Sequence, residues 1–371
     1  MLRRMLAIGH YRGRVMLVDE ATMEVRWDVE AHLKGPYSER GARVAMSPDG
    51  RFVASVVRVD DQWKLWDVST GAVHMAGATH DGSGACICRL QHHTHPTLEA
   101  ECPVVAHKQG IRTVVFSPCG LRFATGGLDG AVIVWSTQTG EAEHRMQGFT
   151  RDSPSSESLT YSADGARLAS GSSDQWIRVW DTTTGALLRR IQHSHKLGLH
   201  PVHVQFSPCD NRRLSSAGED MQIHLWDVDS GEKERSMRGR KFAVFSPDGR
   251  TIATGCARGI GEIHLLDAES GAIRFRIITH AGPPTSTSFS IDGSKLASAS
   301  HACMVWDTST GEILKTIALR MTACSVSWAR DWVRDTQRGQ AFAMGHHPRL
   351  GTGSQVLELE VGVVRMILDR V

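Results

Sequence analysis

The chain has 371 residues, of which 41% are hydrophobic and 22% charged, and its formal net charge is +2. This near-neutral charge argues against a general nucleic-acid-binding surface, which needs a much more basic domain. No apolar run approaches the roughly 20 residues of a membrane-spanning helix, and the apolar stretch behind the N-terminal arginines is shorter than the core of a secretion signal. We therefore expect a cytoplasmic protein, or alternatively a nuclear one, with no membrane partner and with nucleic acid disfavoured as a partner.

The first predicted elements are three short strands within residues 6–32, each an alternating apolar run. From residue 45 onward, two turn signatures alternate along the chain. The first resembles Ser-Pro-Asp-Gly and occurs at 45–50, 115–120, 160–165, 205–210, 244–249 and 288–293. The second follows an apolar strand and ends at Gly71, Gly140, Gly185, Gly231, Gly271 and Gly311. Because both signatures have turn chemistry, each unit is predicted to contain four strands, a to d, joined by short turns.

The spacing of the second signature predicts the architecture. Its successive glycines are 40 to 46 residues apart, except for one wider gap between Gly71 and Gly140. A period in this range is typical of stacked repeats such as propeller blades. A single four-stranded sheet cannot bury both of its faces, so neighbours in a ring must cover it. We therefore predict that residues 1–371 form a single all-β domain, a β-propeller of four-stranded antiparallel blades.

The wider gap contains a Cys/His-rich segment that breaks the repeat. We interpret residues 80–106 as a loop inserted between two units. Its possible zinc ligands are Cys86, Cys88, His92, His93, His95 and Cys102. Zinc prefers such ligands, but Cys-x-Cys is not the usual Cys-x-x-Cys spacing. We therefore predict a surface loop with no metal and no other cofactor, and keep zinc binding as the alternative.

The eight cysteines do not have the pattern of a disulfide framework. Cys119 and Cys209 occupy equivalent turns in separate units, where the ring would hold them far apart. Reduced thiols in the cytosol or nucleus are the simpler interpretation.

The two ends of the chain leave the number of blades open. The first unit has strands b, c and d but no strand a, whereas residues 324–331 offer a strand a without a unit. A seven-blade ring closes if this segment joins the first unit. An eight-blade ring also uses the apolar segments at 340–347, 354–360 and 362–368, and the number of b–c–d segments slightly favours eight. In both cases the N- and C-terminal segments pair, because closure removes exposed sheet edges.

These units resemble the repeats of the WD-repeat β-propeller family. The resemblance rests on Trp-Asp dipeptides at the end of strand c, at 66–67, 180–181, 226–227 and 306–307, with Trp135-Ser136 as a near match. In that family a Trp indole, a strand-b hydroxyl, an Asp of the b–c turn and a His before strand a form a buried polar chain. The matching residues are His107, Thr125, Asp129 and Trp135 in one unit; Ser170, Asp174 and Trp180 in the next; and Ser216, Asp220 and Trp226, with His193 or His195, in the third.

The resemblance implies a non-catalytic scaffold or adaptor that assembles partner proteins. The sequence has no G-x-S-x-G, P-loop, H-E-x-x-H or dinucleotide motif, so no catalytic residue is assigned. In the family, the b–c turns and d–a connections share one face, and here they carry Lys108, Arg151, Lys196, Arg238, Arg240, Lys241 and Arg258. We predict that this basic rim binds an acidic or phosphorylated segment of another protein within a multiprotein complex. The alternatives are a substrate-receptor subunit of a larger complex such as a ubiquitin ligase, and a propeller enzyme or zinc-binding protein that uses residues 80–107.

Overall fold

The computed structural model describes residues 5–10, 13–19, 22, 24–31, 42–57, 62–78, 107, 110–147, 156–193, 201–218, 220–255, 261–278, 284, 286–299, 302–318 and 323–328. Within these ranges all regular elements are β-strands. No helix in this part of the chain is long and apolar enough to cross a membrane.

The strands form seven four-stranded antiparallel sheets, which we number as blades 1 to 7 in chain order. Blade 1 contains β1 (Met5–His10), β2 (Arg14–Asp19) and β3 (Val25–Glu30), together with β28 (Ala323–Trp328). Blade 2 contains β4 (Arg43–Met46), β5 (Phe52–Val56), β6 (Gln62–Asp67) and β7 (Val73–Ala78). Blade 3 contains β8 (Ile111–Phe116), β9 (Arg122–Gly127), β10 (Val132–Ser136) and β11 (Ala142–Met146). Blade 4 contains β12 (Ser156–Tyr161), β13 (Arg167–Ser172), β14 (Trp176–Asp181) and β15 (Leu187–Gln192).

The remaining blades repeat this order. Blade 5 contains β16 (Pro201–Phe206), β17 (Arg213–Gly218), β18 (Gln222–Asp227) and β19 (Lys233–Arg238). Blade 6 contains β20 (Arg240–Phe245), β21 (Thr251–Gly255), β22 (Glu262–Asp267) and β23 (Ile273–Ile278). Blade 7 contains β24 (Ser286–Phe289), β25 (Lys295–Ala299), β26 (Ala302–Asp307) and β27 (Ile313–Ala318). In each blade the order of hydrogen-bonded strands is a-b-c-d.

The c–d turns show why the second sequence signature ends in glycine. In blade 2, the Asp67 carboxylate accepts the backbone N–H groups of Ser69 and Thr70, at 2.9 and 3.0 Å. Gly71 closes the turn with a φ of 70°, a conformation that L-residues other than glycine rarely adopt. A Cβ atom on Gly71 would also lie 2.9 Å from Cγ of Trp27 in blade 1. Glycine is therefore required both by the turn and by the contact between blades.

The hydrophobic core is divided into seven clusters, and each cluster lies between two neighbouring blades. Between blades 3 and 4, for example, Val115 and Val134 pack with Leu159, Leu168 and Trp180. Each blade therefore buries both of its faces only because it has a neighbour on each side.

The inner strands are joined by side chains that bond the backbone of the next blade. Ser158 and Thr160 of β12 accept the N–H groups of Val204 and Phe206 in β16, at 3.2 and 3.3 Å. Gln205 of β16 in turn accepts the N–H group of Phe245 in β20, at 2.7 Å. Polar residues are thus buried on these strands because they satisfy amides that have no partner strand.

The ring closes at seven blades. β28 pairs with β1, with Val326 opposite Ile8, and it contacts the inner strands of blades 7 and 2. The cluster between blades 7 and 1 includes Leu6, Val305 and Val326 and is as fully buried as the others. The predicted pairing of the terminal segments is confirmed, whereas the preference for eight blades was wrong. Residues 329–371, which favoured the larger number, lie outside the described residues, as does the predicted insertion at 80–106.

Cys119, Cys209 and Cys303 have free thiols. Cys119 and Cys209 are exposed in the a–b turns of blades 3 and 5, and a whole blade separates them. Cys303 is buried between blades 7 and 1, and burial raises the pKa of its thiol to about 12.

Closure by β28 can be tested by truncation. A chain ending at residue 318 lacks the inner strand of blade 1, and we expect it to lose its cooperative thermal transition because β1 becomes an open edge. A chain ending at residue 330 keeps β28, and we expect its transition temperature to stay within a few degrees of the full chain. The transitions are measured by circular dichroism. If both truncated chains lose their folded structure to the same extent, seven-blade closure is contradicted.

Candidate functional site

In blade 3, the structure brings together the four residues predicted to form a polar chain. The indole N–H of Trp135 donates to Oγ1 of Thr125 at 2.8 Å. His107 contacts the same hydroxyl through Nε2 at 2.8 Å and the Asp129 carboxylate through Nδ1 at 2.9 Å. All four side chains are at least nine-tenths buried, and Asp129 also pairs with Arg145 of strand d at 3.1 Å. The chain thus connects strand b, strand c and the residue that precedes strand a.

Blade 4 uses an arginine at its b–c turn. Trp180 donates to Ser170 at 3.1 Å, as in blade 3. Asp174 forms a bidentate ion pair with Arg178, whose side chain is completely buried. Burial raises the pKa of the Asp174 carboxyl, but the hydrogen bonds and the charge of Arg178 outweigh this effect and hold the pKa below its ordinary value. The carboxylate is therefore ionised and its charge is balanced within the blade.

Blade 5 places two histidines around its b–c turn. Trp226 donates to Ser216 at 2.8 Å, and Nδ1 of His193 lies 2.9 Å from the same hydroxyl. Of the two predicted histidines, His193 is thus the one that joins the chain, and His195 lies outside the described residues. His224 Nε2 lies 2.9 Å from the Asp220 carboxylate.

Each of these three turn aspartates also faces a basic side chain that the sequence analysis did not assign: Arg145, Arg178 or His224. Arg178 and His224 occupy the same position, two residues before the strand-c tryptophan. A polar residue at that position of an otherwise apolar strand was the available signal. Arg145 in blade 3 belongs to strand d, and no regular spacing in the sequence predicted that it pairs with Asp129.

The comparison with known proteins identifies the family. The family model described as "WD domain, G-beta repeat" matches residues 100–136, 152–181 and 189–227. These matches cover strands a to c of blades 3, 4 and 5, the blades whose polar chains are described above. The chain carries three WD repeats within a seven-blade β-propeller. This fold is consistent with a protein-interaction scaffold.

One relative of this WD-repeat propeller is named "Retinoblastoma-binding-like protein E", from Dictyostelium discoideum. It is 35% identical over 79 residues, which are 21% of the present chain and 15% of that protein. The similarity is therefore confined to a small part of both proteins.

Most of the predicted basic rim lies outside the described residues, including Lys108, Arg151, Lys196 and Arg258. Arg238 is exposed at the end of β19, and Arg240 and Lys241 begin β20. These three residues thus follow one another along the d–a connection between blades 5 and 6.

Two b–c turns carry non-glycine residues in a left-handed conformation. Gln175 in blade 4 and Met221 in blade 5 have φ values of 75° and 60°, where blade 3 has Gly130. This conformation costs an L-residue about 1 to 2 kcal/mol. Met221 has 49% of its surface exposed, so its side chain gains little packing in return.

The neighbours of these two turn residues include aromatic and basic side chains. The guanidinium of exposed Arg190 lies 4.5 Å from the ring centre of Trp176. The N–H of Gly239, next to Arg238, donates to the carbonyl of Met221 at 3.2 Å. We group five residues under the name blade 4–5 patch: Gln175, Trp176 and Arg190 of blade 4, and Met221 and Arg238 of blade 5.

The polar chain of blade 3 predicts a specific loss of stability. Thr125→Val removes the hydroxyl that serves both Trp135 and His107. We expect it to lower the free energy of unfolding by about 2 to 4 kcal/mol, since each unsatisfied buried polar group costs roughly 1 to 3 kcal/mol. Thr137→Val is the matched control, because the Thr137 hydroxyl is buried and has no hydrogen-bond partner among the described residues. Equal stabilities of the two variants in urea would contradict a structural role for the chain.

The ion pair of blade 4 predicts a pH-dependent effect. Asp174→Asn removes the carboxylate that pairs with the buried guanidinium of Arg178, and we expect a loss of about 3 to 5 kcal/mol at neutral pH. The folded-state pKa of Asp174 is below its ordinary value of 3.8. Its contribution is therefore complete above that pH and is lost as the pH falls through the lower, folded-state pKa. The variant should show a flatter stability curve in this acidic range, whereas Asp181→Asn, in an exposed turn, should leave the Asp174 contribution in place.

Proposed function

We propose that this protein is a non-catalytic scaffold that binds a partner protein through the face formed by the b–c turns and d–a connections, with the blade 4–5 patch at the centre of the contact. The observation that carries the proposal is the exposure of Met221 in a strained conformation beside Arg238. Such strain persists where the surrounding structure imposes it, and it concentrates at functional surfaces.

The composition of the patch supports this choice. Methionine, tryptophan and arginine are enriched in protein interfaces, and tryptophan and arginine are frequent among the residues that dominate binding energy. The turns that carry Gln175 and Met221 are held by the Asp174–Arg178 ion pair, by the contact between Asp220 and His224, and by the closed ring. The patch is therefore preorganised, and a partner that binds it loses less free energy to ordering.

The charge of the patch supports an acidic partner segment. Arg190 and Arg238 supply two guanidinium groups, and neither has an acidic partner among the described ion pairs. Guanidinium groups bind carboxylate and phosphate oxygens through paired hydrogen bonds. We infer that the ligand is an acidic or phosphorylated segment of another protein, in a cytoplasmic or nuclear complex.

The similarity to the retinoblastoma-binding-like protein supports a protein partner in general. That similarity covers 15% of the relative, so the proposal takes no particular partner from its name. A role as a substrate receptor within a larger enzyme complex is a narrower form of the same proposal. The identity of the partner proteins recovered by affinity purification would distinguish this role from that of a general scaffold.

The proposal can be tested by affinity purification from native cells with mass spectrometry. We compare the wild type with the variant Arg238→Glu/Arg240→Glu/Lys241→Glu, which reverses the charge of the patch residue Arg238 and of the two basic residues that begin β20. The matched control is Arg51→Glu/Arg212→Glu/Arg250→Glu, which makes the same change in charge on the face of the a–b turns. We expect the first variant to lose a defined set of partners that the control retains.

The variant Met221→Gly separates binding from folding. Glycine relieves the left-handed strain, so we expect stability to be unchanged or raised by up to about 1 kcal/mol. Loss of a central interface side chain should at the same time weaken partner binding by more than roughly tenfold. If Met221→Gly and the triple variant both fold and both retain every partner, the blade 4–5 patch is not the binding site.

A further inference from the structure

The b–c turn of blade 5 collects three side chains that can ligate a metal ion. They are His193, Asp220 and His224, and one ligand atom of each lies within 4.8 Å of the other two. His224 Nε2 is 2.9 Å from one oxygen of Asp220, and His193 Nε2 is 3.7 Å from the other. Both imidazoles are almost completely buried, whereas the Asp220 side chain is 14% exposed. The three groups thus form a compact site that is open to solvent on the side of the carboxylate.

The imidazole of His193 in blade 5 is oriented differently from that of His107 in the polar chain of blade 3. His107 turns Nδ1 toward Asp129 at hydrogen-bond distance and Nε2 toward the hydroxyl. His193 has the opposite orientation, with Nδ1 at the hydroxyl of Ser216 and Nε2 facing Asp220. Its distance of 3.7 Å from the carboxylate is too long for a hydrogen bond. In a tetrahedral zinc site with bonds of about 2.0 to 2.1 Å, neighbouring ligand atoms are about 3.3 Å apart, a value that lies between the 2.9 and 3.7 Å distances to the Asp220 oxygens.

Hydrogen bonds at the far side of each ring fix this orientation. Nδ1 of His193 contacts Ser216 at 2.9 Å, and Nδ1 of His224 contacts Ser236 at 2.8 Å. Histidines that bind metals usually engage their second nitrogen in such a bond, which selects the tautomer and holds the ring. Both Nε2 atoms are therefore directed at the same carboxylate.

The donor set of the site suits a transition metal. A carboxylate with two imidazoles is a donor set for first-row transition metals, whereas calcium and magnesium prefer oxygen ligands throughout.

We propose that blade 5 binds a divalent transition-metal ion of the zinc type through Nε2 of His193, Nε2 of His224 and the Asp220 carboxylate, with solvent at the fourth position. The ion would connect the residue that ends blade 4 to strand c of blade 5. Asp220 directly precedes Met221, so the ion would also hold the turn that displays this side chain.

The test uses the full chain, treated with a chelator and then titrated with Zn²⁺ in competition with a chromogenic chelator. We compare the wild type with His224→Gln and Asp220→Asn. We expect each substitution to weaken zinc binding at this site by more than about 100-fold, since even the loss of an outer hydrogen bond to a ligand costs roughly 10- to 100-fold. The matched control is His264→Gln. His264 has the same register in blade 6, and among the described residues its one acidic contact is Glu262, at 3.1 Å.

A second readout separates this site from the Cys/His-rich segment at 80–106. Co²⁺ bound by two imidazoles and a carboxylate lacks a thiolate charge-transfer band, whereas a site with cysteine ligands shows one. We expect the Cys86→Ser/Cys88→Ser/Cys102→Ser variant to keep the blade 5 ion. The proposal is overturned if all bound metal is lost in this cysteine variant, or if His224→Gln and the wild type bind zinc equally.

Folding controls keep the result interpretable. In the presence of chelator we expect all variants to unfold cooperatively, and zinc should raise the transition temperature of the wild type and His264→Gln but not of His224→Gln. The variant His224→Cys retains a zinc ligand, so it should restore binding and add a thiolate band to the Co²⁺ spectrum. Absence of both effects in a folded His224→Cys protein would count against ligation by residue 224.

Discussion

A buried indole N–H without an acceptor is costly, and five of the seven blades are arranged around this constraint. In five blades the tryptophan of strand c donates to a hydroxyl of strand b; the pairs are Trp66–Ser55, Trp135–Thr125, Trp180–Ser170, Trp226–Ser216 and Trp306–Ser298. An unsatisfied group would cost roughly 1 to 3 kcal/mol in each blade. Because the bond is short and directional, it fixes the register of strands b and c and thereby the position of the turn between them.

The fixed turn creates a second requirement, which the blades meet differently. In blades 3, 4 and 5 the turn carries a partly or fully buried aspartate whose charge needs a partner. Arg145 of strand d, Arg178 of strand c and His224 of strand c provide it. The hydrogen bond between strands b and c is thus nearly constant, whereas the charge on the turn face varies. A repeat sequence can in this way produce a face on which blades 3, 4 and 5 each present different chemistry.

The sequence predicts the features that depend on local chemistry and misses those that depend on distant partners. The turn glycines and the Trp-Asp dipeptides revealed the four-stranded unit and the polar chains, because each is required within a few residues. The number of blades could not be predicted from such local requirements. Alternation identifies a strand such as β28 but not the strand it pairs with, and its partner β1 is at the other end of the chain. The strained turns were missed for a related reason. The sequence does not indicate that Gln175 and Met221 have a left-handed backbone conformation, which glycine adopts more easily.

Blade 6 shows how far closure can replace the polar chain. Leu266 stands where other blades have tryptophan, so no indole bond sets the register of its strands b and c. The Thr254 hydroxyl on strand b bonds the carbonyl of Gly255 instead. Leu266 is nevertheless 1% exposed, because Met237 and Ile223 of blade 5 pack against the same cluster. In a closed ring each blade is held by two neighbours, so the loss of one internal bond need not disturb the whole. The turns are then free to diverge in sequence, and that divergence is what allows one face of a repetitive ring to acquire a site as particular as the one formed by His193, Asp220 and His224.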